Sequence, residues 1–167
     1  FEPADLDAVD AILEDHDHDP HRMLSILEAV QAEFGHLPVA AGMGYAIRLR
    51  QTDQVALCFF GDGAVNEGAF HEALNVSSLW GLPVVYIIEN NRYGMGTSLD
   101  RASSVKDLYQ RGSAYGIPRR DVDGMDLLTV RGALAEAIER ARREKRPTLL
   151  EITGPLFRPE AVGPLDH

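Results

Sequence analysis

The chain has one cysteine, Cys58, among 167 residues. That excludes an internal disulfide and any multi-cysteine zinc or iron–sulfur site built within one chain. No apolar run approaches the ~20 residues that a membrane-spanning helix needs, so no membrane insertion is expected. The opening stretch FEPADLDAVD is acidic and has neither signal nor transit character. Positive charge is scarce: Lys and Arg number 16 against 26 Asp and Glu, for a net charge of −10. This argues against nucleic acid or an anionic membrane surface as a partner. No Gly-x-Gly-x-x-Gly follows a strand-like run, which counts against nicotinamide dinucleotide binding. Internal repeats are lacking too.

What is present suits a globular domain. Hydrophobic residues make up 45% and charged residues 25%, ordinary values for a packed core with a solvated surface. The charge is uneven. Residues 1–38 hold ten acids and one base, Arg22, a net −9, which leaves −1 for the rest. A shift this sharp divides the chain into an acidic helical segment at 1–38, an α/β domain at 39–153 and an irregular tail at 154–167.

Periodicity gives the elements. Leu6, Val9, Ile12 and Leu13 share one helical face. Asp19 and Pro20 open a second helix bearing Met23, Leu24, Leu27, Val30 and Phe34, which Gly35 ends. PVAAGMGYAIRLR reads as a third helix with a small-residue face suited to close packing. Four strands are then expected near 54–60, 83–89, 117–122 and 148–153. The first two are continuous apolar runs, as in strands buried on both faces. Residues 66–79 read as a helix and NNRYGMGTS as a loop. Ser104 and Asp107 form a capping-box-like start for a short helix. Asp126 caps a long one carrying Leu127, Val130, Leu134, Ala137, Ile138 and Ala141. Strands alternating with crossover helices imply an α/β fold with a parallel sheet, preceded by a helical segment.

The chemistry concentrates where strands end. FFGDGAVNEGAFHEALN runs from an apolar strand straight into Gly-Asp-Gly. Asp62 thus stands at a strand tip, and Asn90 and Asn91 stand at the next. In parallel sheets, ligands bind outside the carboxyl ends of the strands. An isolated Gly-Asp-Gly is an ordinary turn, and Asn-Asn an ordinary turn former. In register, a carboxylate, an amide oxygen and a backbone carbonyl make a hard oxygen site that suits Mg²⁺ and phosphate oxygens. Gly63 and Ala64 precede a helix and offer N–H groups to a phosphate, and Gly61 and Gly63 permit close approach. Elsewhere the ordinary readings hold. His16, His18 and His21 are interleaved with acids and read as solvated. Glu67 and His71 stand one turn apart and read as surface or packing groups. Met43, Met95 and Met125 read as packing, and Cys58 as an inert thiol within a strand.

GDG and NN, separated by 26 residues between Gly63 and Asn90, resemble the thiamine diphosphate motif. The likeness extends through RYGMGTS, YQRGSAYGIPRRDVDGMD and RPTLLEIT. Residues 38–153 resemble the α subunit of the first component of pyruvate dehydrogenase complexes. The resemblance implies that Asp62 and Asn91 are Mg²⁺ side-chain ligands and that Tyr93 offers its carbonyl. It implies that Gly61, Gly63 and Ala64 border the cofactor's diphosphate. It implies thiamine diphosphate and Mg²⁺ as cofactors and a 2-oxo acid as substrate, with RYGMGTS favouring pyruvate. It further implies a β-type partner subunit, an oligomer, and a bacterial cytoplasm or a mitochondrial matrix. No Glu of this chain matches the carboxylate that activates the cofactor's pyrimidine in the family. The functional His that follows the last strand in a Gly-His-Ser context is replaced by GPLFRPEAV. Residues 3–38, through HRMLSILEAVQAEFGHLP, instead resemble the N-terminal helices of the thioredoxin-like iron–sulfur subunit of NADH and formate dehydrogenases, without its cluster cysteines. Two functions follow as expectations: an α-type dehydrogenase component, inactive alone and with no catalytic residue of its own, or a non-catalytic docking module with vestigial cofactor binding.

Overall fold

The computed structural model describes residues 36–94 and 97–154. The two N-terminal helices, the histidines at 16, 18 and 21, Met95 and the tail from 155 onward lie outside the described residues. The first described element is α1 (His36–Arg50), which runs across residue 38. Its small residues set its distance from the sheet. Ala40 and Ala41 are buried. A Cβ on Gly44 would sit 2.5 Å from Val84 Cγ2 and 3.1 Å from Leu82 Cβ, so only glycine fits there.

The apolar runs then fold as expected. β1 (Ala56–Gly61) and β2 (Val84–Asn90) pair in parallel, with Phe60 opposite Ile88. Between them come a 3₁₀ turn at Asp62–Asn66 and α2 (Gly68–Leu79). The helix therefore begins two residues later than the pattern implied. Phe70 and Leu74 of α2 are fully buried, and each contributes about 1.5–3 kcal/mol by leaving water. Gly81, at φ +59°, ends α2 in the left-handed conformation that glycine adopts without strain.

The stretch read as a loop contains a small hairpin, β3 (Tyr93–Gly94) with β4 (Thr97–Ser98), leading into α3 (Leu99–Ala102). The capping box at Ser104 and Asp107 does not form. Asp107 precedes a 3₁₀ segment, Leu108–Tyr115, without a side-chain cap. Arg111, within this segment, ties it to the Asp62–Asn66 turn, as described below. β5 (Arg119–Asp123) follows, then α4 (Leu127–Glu144) and β6 (Thr148–Thr153). Asp126 caps α4 as expected, accepting from the N–H groups of Leu128 and Thr129. Leu127, assigned by its spacing to the core face, is 78% exposed, and Ala133, Ala137 and Ala141 carry the contact instead. The first turn of α4 overhangs the sheet, and short side chains let the helix body lie close.

Among the described residues the strands run β1-β2-β6-β5, all neighbours parallel. α1, α2 and the 108–115 segment pack with Cys58, Phe60, Val84, Tyr86 and Ile88. α4 packs on the other face against Val85, Ile87 and Leu150. β2 is buried on both faces, but β1 is not: Leu57 and Phe59 remain 45% and 47% exposed. The expectation that both apolar runs are covered on two sides fails at β1. α4 reaches β2, β5 and β6, and no described helix extends over the outer face of the edge strand. No helix among the described residues is long and apolar enough to cross a membrane.

Candidate functional site

β1 ends at Gly61, and Asp62 opens the turn that follows. Asp62 is 4% exposed, and no hydrogen bond or ion pair joins its carboxylate to another described residue; among the described residues the fully buried side-chain polar atom left without a partner is Thr148 Oγ1 and not an oxygen of Asp62. An acid at a strand tip with no basic residue paired to it there is suited to a cation. A Cβ added to Gly61 or Gly63 would meet nothing within 4 Å, and neither residue has positive φ. Their missing side chains thus serve access to the backbone, not its conformation. Ala64 packs partly against the core. Arg111, which the sequence reading missed, braces the far side of this turn. It donates to the Val65 carbonyl (2.8 Å), Asn66 Oδ1 (2.8 Å) and Ser103 Oγ (2.9 Å). The planar guanidinium serves them from two nitrogens held in a fixed fork, whereas a lysine would offer its donors from a single atom.

The second half of the candidate site follows β2. Gly61 lies opposite Glu89, so Asp62 leaves β1 level with Asn90, and Asn91 comes next. Asn91 is half-buried. Its Oδ1 accepts the Tyr93 N–H at 2.9 Å and keeps a second lone pair. The Tyr93–Gly94 strand lies against the Asp62–Asn66 turn, so the backbone at Tyr93 and the turn meet. The phenol is half exposed; it is the carbonyl that concerns the site. No group of three or more His, Cys, Asp or Glu among the described residues is arranged to hold a metal. A cation here would draw on one carboxylate together with amide and carbonyl oxygens.

A cavity of about 770 Å³ opens beside this point, over the ends of β2, β6 and β5. It lies where a parallel sheet is expected to bind ligands, and its size suits a small molecule. Asn90, Arg92 and Tyr93 line it, together with Asp123 and Glu151; Asp62 does not. The turn and the cavity are neighbours, joined by the 90–93 loop.

Glu151 was also missed, although a lone charge inside TLLEIT poses the same question as Asp62. Here the partners are visible. Glu151 is 3% exposed and accepts from Asn90 Nδ2 at 2.6 Å and from the Tyr109 N–H at 2.8 Å. Burial raises its pKa, the two donated bonds pull the other way, and Asp121 and Asp107 add to the rise. A raised folded-state value means that the stability contributed by Glu151 is complete below its ordinary value of about 4.5. It is lost as pH climbs through the folded-state value, because folding then demands proton uptake. Denaturant unfolding of the wild type and Glu151→Gln across pH should show the wild-type advantage shrinking above about 4.5. A difference that grows with pH would reverse the sign assigned here.

Other expectations resolve simply. Cys58 is buried and its thiol is pushed up to about 12 by desolvation, in keeping with an inert group. His71 does not pair with Glu67. Its Nδ1 lies 2.8 Å from the Tyr115 hydroxyl, and Glu67 stands exposed before α2.

Known proteins are similar to this chain. The dehydrogenase E1 component family matches residues 13–158. The α subunit of the pyruvate dehydrogenase E1 component from Rhizobium meliloti is 50% identical over 114 residues, 68% of this chain and 33% of that protein. The α subunit of acetoin:2,6-dichlorophenolindophenol oxidoreductase from Bacillus subtilis is 46% identical over 117 residues, 70% of this chain and 35% of that protein. The chain thus spans about a third of the length of these relatives. Among solved structures, a putative thiamin diphosphate-dependent enzyme from Mycobacterium smegmatis shares the fold. Its TM-score is 0.56 at 19% identity, over 70% of this chain and 21% of that one. The family match begins at residue 13 and takes in most of the acidic segment, so the likeness of residues 3–38 to an iron–sulfur subunit gains no support. From residue 13 to residue 158, across the whole described sheet, this chain belongs to the dehydrogenase E1 component family.

Proposed function

We propose that the chain supplies the metal–diphosphate half of a thiamine diphosphate site in an α-type subunit of a 2-oxo acid dehydrogenase, with pyruvate as the substrate. The observation that carries this reading is the Asp62 carboxylate, little exposed, without a partner among the described residues, at a glycine-flanked strand end level with Asn90. Asp62 and Asn91 would hold Mg²⁺ through their side chains and Tyr93 through its carbonyl. The backbone around Gly61, Gly63 and Ala64 would receive the diphosphate. When bound, thiamine diphosphate supplies the electron sink for the carbanion left by decarboxylation. The residues of this chain bind and orient it. The relatives support this division of labour: proteins named for pyruvate and for acetoin are similar to this chain to nearly the same degree. The shared stretch therefore fits a common cofactor better than a common substrate.

Calorimetry with thiamine diphosphate and Mg²⁺ tests the proposal. Uptake should require the metal, disappear with chelator, and be on the order of micromolar or weaker, because half a site leaves both cofactor rings largely in water. Metal-independent uptake, or none, would overturn it. Gly63→Val separates binding from folding. Its side chain enters open space, so unfolding should be nearly unchanged while cofactor affinity falls at least about tenfold through lost backbone access. Equal affinity in this variant would place the diphosphate elsewhere.

A further inference from the structure

The loop that carries Asn91 and Tyr93 owes its shape to groups inside the sheet. Arg92 sits at φ 67°, a left-handed conformation that a side chain other than glycine holds only under constraint. Its N–H donates to Asn90 Oδ1 at 2.9 Å, and its carbonyl accepts from the Leu99 N–H at 3.0 Å. Asn90 can offer Oδ1 in that direction because the other end of its amide is fixed: Nδ2 donates to Glu151 Oε1 at 2.6 Å. Glu151 is fixed in turn by the Tyr109 N–H on Oε2. Asn90 and Glu151 are only 4% and 3% exposed, so water offers little substitute for these bonds.

We propose that Glu151 and Asn90 are positioning residues for the ligand-bearing loop: the carboxylate orients the Asn90 amide, the amide fixes the left-handed turn at Arg92, and the turn presents Asn91 and the Tyr93 carbonyl to Asp62. This rests on the reading of Asp62, Asn91 and Tyr93 as the metal-holding groups. The donor count makes the device specific. Glu151 receives two donors and gives none. In Glu151→Gln the new amide must point its own N–H₂ at one of them. In Asn90→Asp the new carboxylate must face that of Glu151. The double exchange, Asn90→Asp with Glu151→Gln, satisfies every group again. The introduced amide donates to the introduced carboxylate, which reverses one bond, and the Arg92 and Tyr109 N–H groups keep their acceptors.

The test uses the full chain and two readouts. Amide hydrogen exchange reports on the Arg92 N–H without any ligand. Mg²⁺ titration at saturating thiamine diphosphate reports on the site. Each single variant should lose Arg92 protection and about 10- to 100-fold in Mg²⁺ affinity, the scale typical of groups that orient metal ligands. The double variant should recover both. Singles with wild-type exchange, singles with wild-type affinity, or a double variant no better than the worse single would each overturn the proposal. A double variant that fails to fold counts against it as well, because every hydrogen bond has been restored. A wild type that takes up no Mg²⁺ refutes the function reading instead, and Arg92 exchange across the three variants still decides whether this relay holds the turn.

Discussion

Asp62→Asn should remove Mg²⁺-dependent uptake of thiamine diphosphate, by about 100-fold or more, without weakening the fold. The two effects have one cause. No hydrogen bond or ion pair joins the Asp62 carboxylate to another described residue, so its charge holds no described contact together. An amide of the same shape breaks none either, and without cofactor the variant should unfold within about 0.5 kcal/mol of the wild type. With cofactor present the two should separate. Asp62 is the only formal negative charge that the protein contributes to the proposed metal shell, and a hard divalent cation selects for it. Wild type should therefore gain about 2.7 kcal/mol at a ligand concentration about 100 times its Kd, and the variant at most about 0.4 kcal/mol at the same concentration. Thermal unfolding with and without Mg²⁺ and thiamine diphosphate gives both numbers in one series. A variant that is clearly less stable than wild type without ligand would mean that Asp62 has a structural partner. A variant stabilised as much as wild type by the cofactor would move the metal site elsewhere.

The second large effect is an absence of turnover. Purified chain with saturating thiamine diphosphate, Mg²⁺, pyruvate and an artificial electron acceptor should show no decarboxylation above background. A metal–diphosphate clamp grips the cofactor equally at every stage of a reaction, so it adds uniform binding and no preference for the transition state. Rate requires a proton-transfer partner for the pyrimidine and groups set around the developing negative charge. The family resemblance assigns the first to a β-type subunit, and the second includes the His whose place GPLFRPEAV takes. Turnover near the ~10 s⁻¹ of a typical enzyme would show that the residues present suffice.

Much of this protein was legible in its residue order because the relevant physics is local. An apolar run of strand length, a 3.6-residue stripe and an Asp before a helix act over a handful of neighbours. Accordingly the parallel strands, α4 and its Asp126 cap fall where the pattern puts them. Gly-Asp-Gly and Asn-Asn could be placed at neighbouring strand ends for the same reason, but each alone is an ordinary turn, and their reading as a metal and diphosphate site came from the family resemblance.

What tertiary structure alone decided was the company each group keeps. No pattern along the chain announces that Leu57 and Phe59 face outward, since their exposure depends on where α4 ends its coverage of the sheet. Nor does local spacing show why Ser104 and Asp107 fail to cap, when the segment they precede is braced by Arg111 across 46 residues to Val65. Asp62 and Glu151 look alike in the sequence, each a lone acid at an apolar strand. The fold separates them. Strand order sets β6 beside β2 and brings Asn90 to Glu151 across 61 residues, while the end of the edge strand leaves Asp62 without a described partner. Burial of a charge is tolerated only where hydrogen bonds or a counter-ion meet it, and which of the two it receives depends on the register of the sheet, not on the residues beside it in the chain.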